Sequence, residues 1–356
     1  MTEQVLENAK PTFENVIKEV VDAGKCMNCG ACSMACTTLA TNVISIKEGT
    51  IRTVDMDKCE ECSLCYVCCP RTSFDGVADV NVVDDRIGNY ISIRTYKTAL
   101  DELKDKYQDG GVVTSILLYL LDNMLIDAVL VIQKDENWIP KPILTNDRNL
   151  IIKSAGTVYA TTPNFDAFKI LKDVDPKILE SFGVDIIDHL RVAMVGLPCQ
   201  MASLKRMEAA EIFPANLIKF KISLFCFENF DHDVLFNYIK KKLKTSPNDI
   251  QHMNIKGNMK IKLKSGKELE LKPKEFQSLA REGCHWCGDL TGINSDISCG
   301  GIGGKLGYTC TITRSDKGSE MINRAVNAGY IEEGPPAKLK LVRKIAGIKI
   351  KKQKKE

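Results

Sequence analysis

The sequence predicts two unlike parts, a small cysteine-rich module over residues 1–85 and a larger α/β part that follows it. Nine of the 15 cysteines lie between Cys26 and Cys69. The rest of the chain alternates glycine-containing loops, helical patterns and short apolar strands, which is the order typical of α/β units. A length of 356 residues suits two to three domains. The composition, 44% hydrophobic and 27% charged, excludes disordered and fibrous classes.

Two runs of cysteines in the module share the spacing C-x2-C-x2-C-x3-C, one from Cys26 to Cys36 and one from Cys59 to Cys69. This is the bacterial ferredoxin spacing for [4Fe–4S] clusters, in which the fourth cysteine of each run ligates the other cluster. We therefore expect a bacterial-type 2[4Fe–4S] ferredoxin domain; the alternative, a pair of zinc knuckles, needs fewer cysteines. The predicted ligands are Cys26, Cys29, Cys32 and Cys69 for the first cluster, and Cys59, Cys62, Cys65 and Cys36 for the second.

The two runs depart from the usual pattern at two positions. Thr37 stands where the first run normally carries proline, and Cys68 is surplus, although the Cys69-Pro70 pair favours Cys69 as the ligand. The apolar alternation over residues 42–55 predicts a hairpin between the runs, and residues 11–21 have helical periodicity.

The larger part carries cysteines at the ends of predicted strands. A strand over 191–195 leads to Cys199 at the start of a helix that reaches residue 207, and a strand over 218–224 leads to Cys226. Ligands of open α/β sheets bind at this edge, and Cys284 and Cys287 form one further C-x2-C pair. These four cysteines are enough for a third [4Fe–4S] cluster, but Cys199 and Cys226 could equally be buried core residues.

Glycine-rich loops are a second feature of the larger part. Gly110-Gly111 precedes a helix over 115–121 and a strand over 128–132, and further small-residue loops span 154–159 and 299–304. Such loops let a phosphate or a ring approach the backbone, or are simply turns. Cys68, Cys299 and Cys310 have no assigned role, and Cys310 lies in a strand pattern typical of a core.

Charge and hydropathy exclude other classes. A net charge of +3 is too balanced to indicate a nucleic-acid protein. The N-terminus lacks the pattern of a secretory signal, and acidic and amide residues interrupt the most apolar stretch, so we expect a cytoplasmic protein without membrane spans. Residues 338–356 carry nine Lys or Arg and one Glu. This basic tail is either a solvated terminus or a docking segment for an acidic partner or an anionic membrane surface.

Six short motifs in the larger part occur in an order that resembles the family of β-subunits of coenzyme F420-reducing hydrogenases and formate dehydrogenases. The resemblance covers roughly residues 85–345. The ferredoxin module, with no hydrogenase or molybdenum motif, is most similar to the electron-input branch of membrane-associated F420H2 dehydrogenases of methanogenic archaea. The motifs are Gly110-Gly111-x-x-Thr114, Ala155-Gly156-Thr157-x-Tyr159, Gly196-x-Pro198-Cys199-Gln200, Phe225-Cys226-x-Glu228-Asn229, Cys284-x-x-Cys287-x-Asp289 and Asp296-Ile297-Ser298.

The resemblance implies an α/β flavoprotein core that binds FAD and one [4Fe–4S] cluster, with residues 86–180 and 181–337 as its two halves and 338–356 as the tail. It implies that Cys199, Cys226, Cys284 and Cys287 ligate this third cluster. The implied flavin contacts are Gly110, Gly111, Thr114, Ala155, Gly156, Thr157 and Tyr159.

The resemblance also implies an activity. Reduced coenzyme F420 would give a hydride to FAD without a catalytic side chain, and single electrons would pass through three clusters to a partner, either the membrane F420H2 dehydrogenase complex or a ferredoxin. The anionic tail of the coenzyme could contact Lys256, Lys260, Lys262 and Lys264, although these lysines equally suit a solvated strand face. The alternatives are a flavin and iron–sulfur reductase that acts on another substrate with ferredoxin electrons, and an electron-transfer subunit without its own substrate.

Overall fold

The structure is a computed structural model that describes residues 11–47, 50–74, 86–104 and 106–354. A π-helical turn, Ile17–Val21, and a 3-10 turn, Glu282–Trp286, accompany the regular elements. The helices are α1 Phe13–Val16, α2 Ala31–Leu39, α3 Leu64–Cys68, α4 Val112–Asp122, α5 Arg148–Lys153, α6 Pro176–Ser181, α7 Pro198–Ala209, α8 His232–Leu243, α9 Pro273–Phe276, α10 Asp316–Asn327 and α11 Leu339–Lys352. The strands are β1 Ile44–Lys47, β2 Thr50–Thr53, β3 Ser92–Thr98, β4 Ala128–Lys134, β5 Pro140–Thr145, β6 Val192–Gly196, β7 Ile218–Leu224, β8 Ile250–Lys256, β9 Asn258–Leu263, β10 Glu268–Leu271, β11 Ile297–Gly300, β12 Thr309–Thr313 and β13 Ile331–Glu333.

An eight-stranded sheet forms the centre of the larger part, in the order β13-β3-β12-β11-β7-β6-β4-β5. Strands β11, β7, β6 and β4 are mutually parallel, and the other pairings in this sheet are antiparallel. Parallel strands end at the same edge, and this carboxyl edge is where open α/β sheets bind ligands.

The central strands β4 and β6 are mostly buried, which explains their nearly continuous apolar sequences, whereas β7 carries the exposed Lys219 and the partly exposed Lys221. Successive side chains point to opposite faces. Val129 and Ala193 therefore join the core beneath α4 and α10, whereas Leu130 and Met194 join the core beneath α7. Met34 of α2 belongs to this second core, so the cysteine-rich module and the large sheet share one hydrophobic cluster.

A smaller antiparallel sheet in the order β10-β9-β8 packs beside the large sheet with helix α8. On β9 the apolar residues Met259 and Ile261 are buried, whereas Lys260 and Lys262, which alternate with them, are exposed. This period of two places one face on the core and the other in solvent.

The cysteine-rich module has the predicted elements. The helix expected over 11–21 begins at Phe13 as α1 and continues as the π-helical turn to Val21. The hairpin expected over 42–55 consists of β1 and β2, with Ile46 opposite Ile51.

Most expected elements of the larger part are present with longer boundaries, which supports the predicted α/β class. The helix expected over 115–121 is present as the longer helix α4. The strand expected over 128–132 extends to Lys134, and the strand expected over 218–224 has the predicted limits.

The basic tail is predicted to be a solvated terminus or a docking segment. That prediction is wrong for one face of the tail, which packs against the rest of the protein. Most of the tail forms α11, in which Val342, Ala346 and Lys349 are buried against the rest of the protein. Within the described ranges, no helix combines the length and the apolar composition that crossing a bilayer requires.

Candidate functional site

Four cysteines from three separate segments meet at the carboxyl edge of the large sheet. Cys199 follows β6 in the first turn of α7, Cys226 follows β7, and Cys284 and Cys287 belong to the 3-10 turn and the residue after it. All four line one cavity. The structure thus brings together the set that the family resemblance implies, which the sequence by itself left as one pair and two single residues.

The environment of these thiols favours the binding of a positively charged metal centre. Burial raises the pKa of Cys226 to about 12, and it raises that of Cys199 well above the usual value for a thiol. Neighbouring thiols add to both shifts, because several thiolates in one cavity repel one another. A bound cluster of iron ions would supply the compensating charge, so the residues present fit a [4Fe–4S] cluster. In the part of the chain that the structure describes, no three His, Cys, Asp or Glu side chains surround the position of a single metal ion.

Lys349 of α11 completes this cavity, and the sequence analysis did not single it out. Its side chain is buried, lines the cavity, and donates hydrogen bonds to the carbonyl oxygens of Cys226 at 2.6 Å and Asp289 at 2.7 Å. Burial lowers the pKa of Lys349, but Cys287, Cys226 and other nearby groups outweigh that effect, and the net shift is upward. The ammonium therefore stays charged. A signal was present in the sequence, since Val342, Ala346 and Lys349 share one helical face.

The end of α11 also holds the loop that carries Cys284 and Cys287. The backbone N–H of Lys354 donates to the carbonyl oxygen of His285 at 2.7 Å, and the Gln353 side-chain amide donates to that of Trp286 at 3.2 Å. At Gly288 a Cβ would lie 2.5 Å from the Gln353 side chain, so a glycine permits this close packing. Helix α11 is thus part of the four-cysteine site.

The predicted first group lines a second cavity. Cys26, Cys29, Cys32 and Cys69 all face it, whereas Cys68 is fully buried in the hydrophobic core. Burial raises the pKa of Cys29 to about 11 and that of Cys69 to about 12. The placement agrees with the choice of Cys69 over Cys68, and ligation itself stays a prediction.

Arg206 of α7 ties this cavity to the larger part. Its buried guanidinium donates to the backbone carbonyl oxygens of Cys69 and Phe74 and, at 3.0 Å, to the Thr72 hydroxyl. Ser203, one turn earlier, donates to the carbonyl oxygen of Cys68 at 2.7 Å. These bonds fix the second cysteine run against the large sheet.

The predicted second group also converges. Burial raises the pKa of Cys65 to about 12, and Cys62, Cys36 and Cys59 each raise it further by charge repulsion. These three thiols are the other predicted ligands of the second cluster. The backbone N–H of Val43 at the hairpin donates to the Cys36 sulfur at 3.2 Å, a contact of the kind that tunes iron–sulfur clusters.

The loops with predicted flavin contacts are joined by Gln108. Its side chain accepts from the backbone N–H of Thr157 at 3.2 Å and donates to the Tyr159 hydroxyl at 3.1 Å. Tyr159 in turn accepts from the N–H of Ile255 at 2.9 Å. Gln108, which no sequence motif includes, brings the 155–159 loop to the start of α4.

Gly110 and Gly111 lie where the backbone leaves little or no room for a side chain. A Cβ on Gly110 would lie 2.6 Å from the Tyr96 carbonyl oxygen and the Thr309 nitrogen, and Gly111 caps α4 with a φ of +70°. Both glycines are therefore required by the fold, in addition to any role toward a ligand. Thr114 is buried in the first turn of α4.

The remaining predicted contacts differ in exposure. Ala155 is partly buried, and Gly156 is exposed with open space where a side chain would be. Lys256, one of the lysines predicted to meet the coenzyme tail, forms an ion pair with Asp109 at 2.5 Å beside Gly110. Lys260, Lys262 and Lys264 are exposed on or after β9, and their role stays a prediction.

Cys299 and Cys310 lie away from the three groups. Both are buried on neighbouring strands, where Cys299 contacts the Thr311 hydroxyl at 3.7 Å. The sequence left open whether Cys299 is a ligand or lines the coenzyme site, and the structure places it in the hydrophobic core with β11. Burial raises the pKa of both thiols to about 12, as expected for inert core cysteines.

Two sequence profiles of one family match the larger part of the chain. The N-terminal profile of the coenzyme F420 hydrogenase/dehydrogenase beta subunit matches residues 95–169, and the C-terminal profile matches residues 189–338. Together they cover more than half of the 356 residues. The chain belongs to this family. The family prediction made from the six motifs is therefore confirmed.

Members of this family include relatives that match nearly the whole chain. A component of the F420H2 dehydrogenase of Methanosarcina mazei is 29% identical over 345 residues, which are 94% of this chain and 92% of that protein. Coenzyme F420-dependent sulfite reductase from Methanocaldococcus jannaschii is 28% identical over 363 residues, which are 97% of this chain and 52% of that protein. The chain thus spans about half the length of the sulfite reductase.

A solved structure of the F420-reducing [NiFe] hydrogenase complex from Methanosarcina barkeri contains a similar chain. The TM-score is 0.67 at 29% sequence identity, with 76% of this chain and 91% of that chain covered. The mixed α/β fold of the family is therefore shared.

Proposed function

We propose that this chain is the subunit of an F420-dependent oxidoreductase that oxidises the reduced coenzyme. In this proposal a hydride passes from the coenzyme to FAD, and single electrons pass through three [4Fe–4S] clusters to a partner, either a membrane F420H2 dehydrogenase complex or a ferredoxin. The observation that carries the proposal is the four-cysteine cavity at the carboxyl edge of a sheet whose family is F420-dependent.

The cofactors, when bound, would supply the redox chemistry, since a flavin links two-electron and one-electron steps and each cluster carries one electron. The chain supplies binding and electrostatics. Cys199, Cys226, Cys284 and Cys287 would hold the third cluster, and Lys349 places a fixed positive charge at its cavity. The other two clusters would be held by the eight cysteines of the module.

The glycine loops would position the flavin. Gly111 caps the start of α4, the Gly110 N–H donates to the Thr309 hydroxyl at 3.0 Å, and Gln108 fixes the 155–159 loop beside them. Helix N-termini favour anionic groups such as a pyrophosphate. Hydride transfer between stacked rings depends on contact geometry and needs no side-chain acid or base.

The relatives support an electron-input role. The F420H2 dehydrogenase relative matches along nearly its whole length, including the region that holds the ferredoxin module. The sulfite reductase relative matches over about half its length, so the match does not extend to the rest of that protein.

The test is anaerobic purification followed by an absorbance spectrum before and after addition of reduced coenzyme F420, with flavin and iron quantified. The expected content is one FAD and about 12 irons per chain. Both the flavin and the cluster bands are expected to bleach.

Other outcomes assign other functions. Bound flavin in a fully loaded protein that does not bleach would favour the reductase of another substrate, in which case ferredoxin electrons should bleach the same bands. Clusters without flavin, even after reconstitution, would contradict the proposal and leave only an electron-transfer subunit.

A further inference from the structure

The cavity of the first cysteine group lies directly against the cavity of the third. Met27 lines both cavities. The Arg281 side chain donates to the Cys26 carbonyl oxygen at 3.1 Å, and a Cβ on Gly283 would lie 2.3 Å from the same oxygen. The loop before Cys284 therefore packs on the loop that starts the first cysteine run.

Packing gives the position of the second group. Cys29 of the first group packs on the hydrophobic cluster that includes the sheet residues Leu130 and Met194. Cys36 and Cys65 of the second group belong instead to a cluster with Cys32 of the first group, and that cluster contains no residue of the large sheet. The three groups therefore lie in the order third, first, second.

The second group is also the one that reaches the surface. Of the chain's 15 cysteines, all of which fall in the described ranges, Cys62 is the exposed one. Glu60 and Glu61 beside it are exposed and form no ion pair with the part of the chain that the structure describes. We call these three residues the Cys62 face.

Two exposed apolar residues lie near Cys36, another predicted ligand of the second cluster. Leu39 ends the helix that carries Cys36 and is 45% exposed, and Val54, hydrogen-bonded to Val43 beside Cys36, is 62% exposed. Exposed apolar residues of this kind are common in transient protein interfaces.

We infer that electrons leave the chain at the Cys62 face, toward a redox protein whose one-electron acceptor lies at a basic surface. This inference rests on the proposed function. In each transfer the second cluster is oxidised by one electron and the acceptor of the partner is reduced by one electron. The glutamates steer a basic partner and bring its acceptor near the exposed ligand.

The test uses the double variant Glu60→Lys/Glu61→Lys, with Glu180→Lys/Glu320→Lys as a control of equal charge change. The control residues are exposed on α6 and α10. The loaded protein is reduced with dithionite, desalted anaerobically and mixed in a stopped-flow instrument with basic oxidised cytochrome c. Because dithionite reduces the protein, the rate of cytochrome c reduction depends only on electron transfer out of the chain. A chain that failed to oxidise the coenzyme would still give this measurement.

At low salt we expect the Cys62-face variant to reduce cytochrome c at least roughly tenfold more slowly than the wild type, whereas the control keeps the wild-type rate. All rates should converge at high salt, where charges are screened. Titration of the oxidised chain with oxidised cytochrome c, in which no electron is transferred, should show a matching loss of affinity in the Cys62-face variant. The iron content of this variant should equal that of the wild type.

Three results would overturn the inference. They are an unaltered rate in the Cys62-face variant, an equal loss in the control, and a loss that persists undiminished at high salt, which would indicate an altered cluster rather than lost steering. A second variant, Cys59→Ala/Cys62→Ala, should lose about a third of the iron and at least roughly tenfold in rate to cytochrome c. A wild-type rate in that variant would place the exit elsewhere.

Discussion

Replacement of Lys349 by methionine tests whether helix α11 is held by its contacts at the four-cysteine cavity. Methionine keeps most of the length of the side chain but cannot donate to the carbonyl oxygens of Cys226 and Asp289. Hydrogen bonds from a charged group contribute about 1.5–3 kcal/mol each, so two of them contribute about 3–6 kcal/mol. The methionine avoids part of the cost of burying an ammonium, and we expect a net destabilisation of helix docking of about 2–4 kcal/mol.

The measurement is amide hydrogen exchange by mass spectrometry along α11. If the helix opens locally, a loss of about 2–4 kcal/mol accelerates its exchange by roughly 30- to 700-fold, because every 1.4 kcal/mol is a factor of ten. Lys351→Met is the matched control, since Lys351 is exposed on the same helix. We also expect a lower reduction potential of the third cluster in the Lys349 variant, because a fixed positive charge is lost from its cavity.

Equal exchange of α11 in the Lys349 variant, the Lys351 control and the wild type would refute this reasoning. It would mean that the apolar face of the helix, with Val342 and Ala346, is sufficient for docking. An unchanged cluster potential would separately show that the ammonium has no electrostatic effect on the site.

Four further outcomes are expected. Cys284→Ser should reduce iron from about 12 to about 8 per chain by direct assay, whereas the core variant Cys310→Ser should keep all of it. Gly110→Ala should lower the flavin released on acid treatment and destabilise the fold, because the added Cβ would lie 2.6 Å from backbone atoms of two strands; a normal flavin content would contradict this. Gly347→Ala, whose Cβ has no neighbour nearer than 3.8 Å, should instead raise the free energy of unfolding by about 0.5–1 kcal/mol in a denaturant titration. Arg206→Met should loosen the second cysteine run by about 3 kcal/mol or more, seen as faster proteolysis near residues 69–74 and disproved by wild-type resistance.

The helix, the hairpin and the two cysteine runs of the cysteine-rich module were predictable because their signals are local. Three thiols of each run lie within seven residues, and the hairpin between the runs follows from a period of two. Strand Ile218–Leu224 was equally clear, since its apolar residues recur at every second position from Ile218 to Leu224. The helix over 11–21 was recognised, but its π-helical second half was not, because the periodicity of so short a segment does not separate the two helix types.

The third cavity was only partly predictable. Cys199 and Cys226 could be placed at strand ends, but the order of the strands decides whether those ends are neighbours. The parallel pairing of β6 with β7 makes them so. Gln108 and Arg206 act through contacts with residues far away in the chain, and nothing in their local sequence distinguishes them from ordinary polar residues.

The sequence by itself determined the three sets of thiols as candidates, the family and the two-part organisation, because ligand spacing and apolar periodicity are properties of short segments. The tertiary structure decided that the sets lie in the order third, first, second, that Cys62 alone among the cysteines is exposed, and that Lys349 of the basic tail is buried at a cluster cavity. Those facts depend on which distant segments pack together. The same basic residues are compatible with a solvated tail and with a buried helix face until the packing of α11 on the sheet edge selects between them.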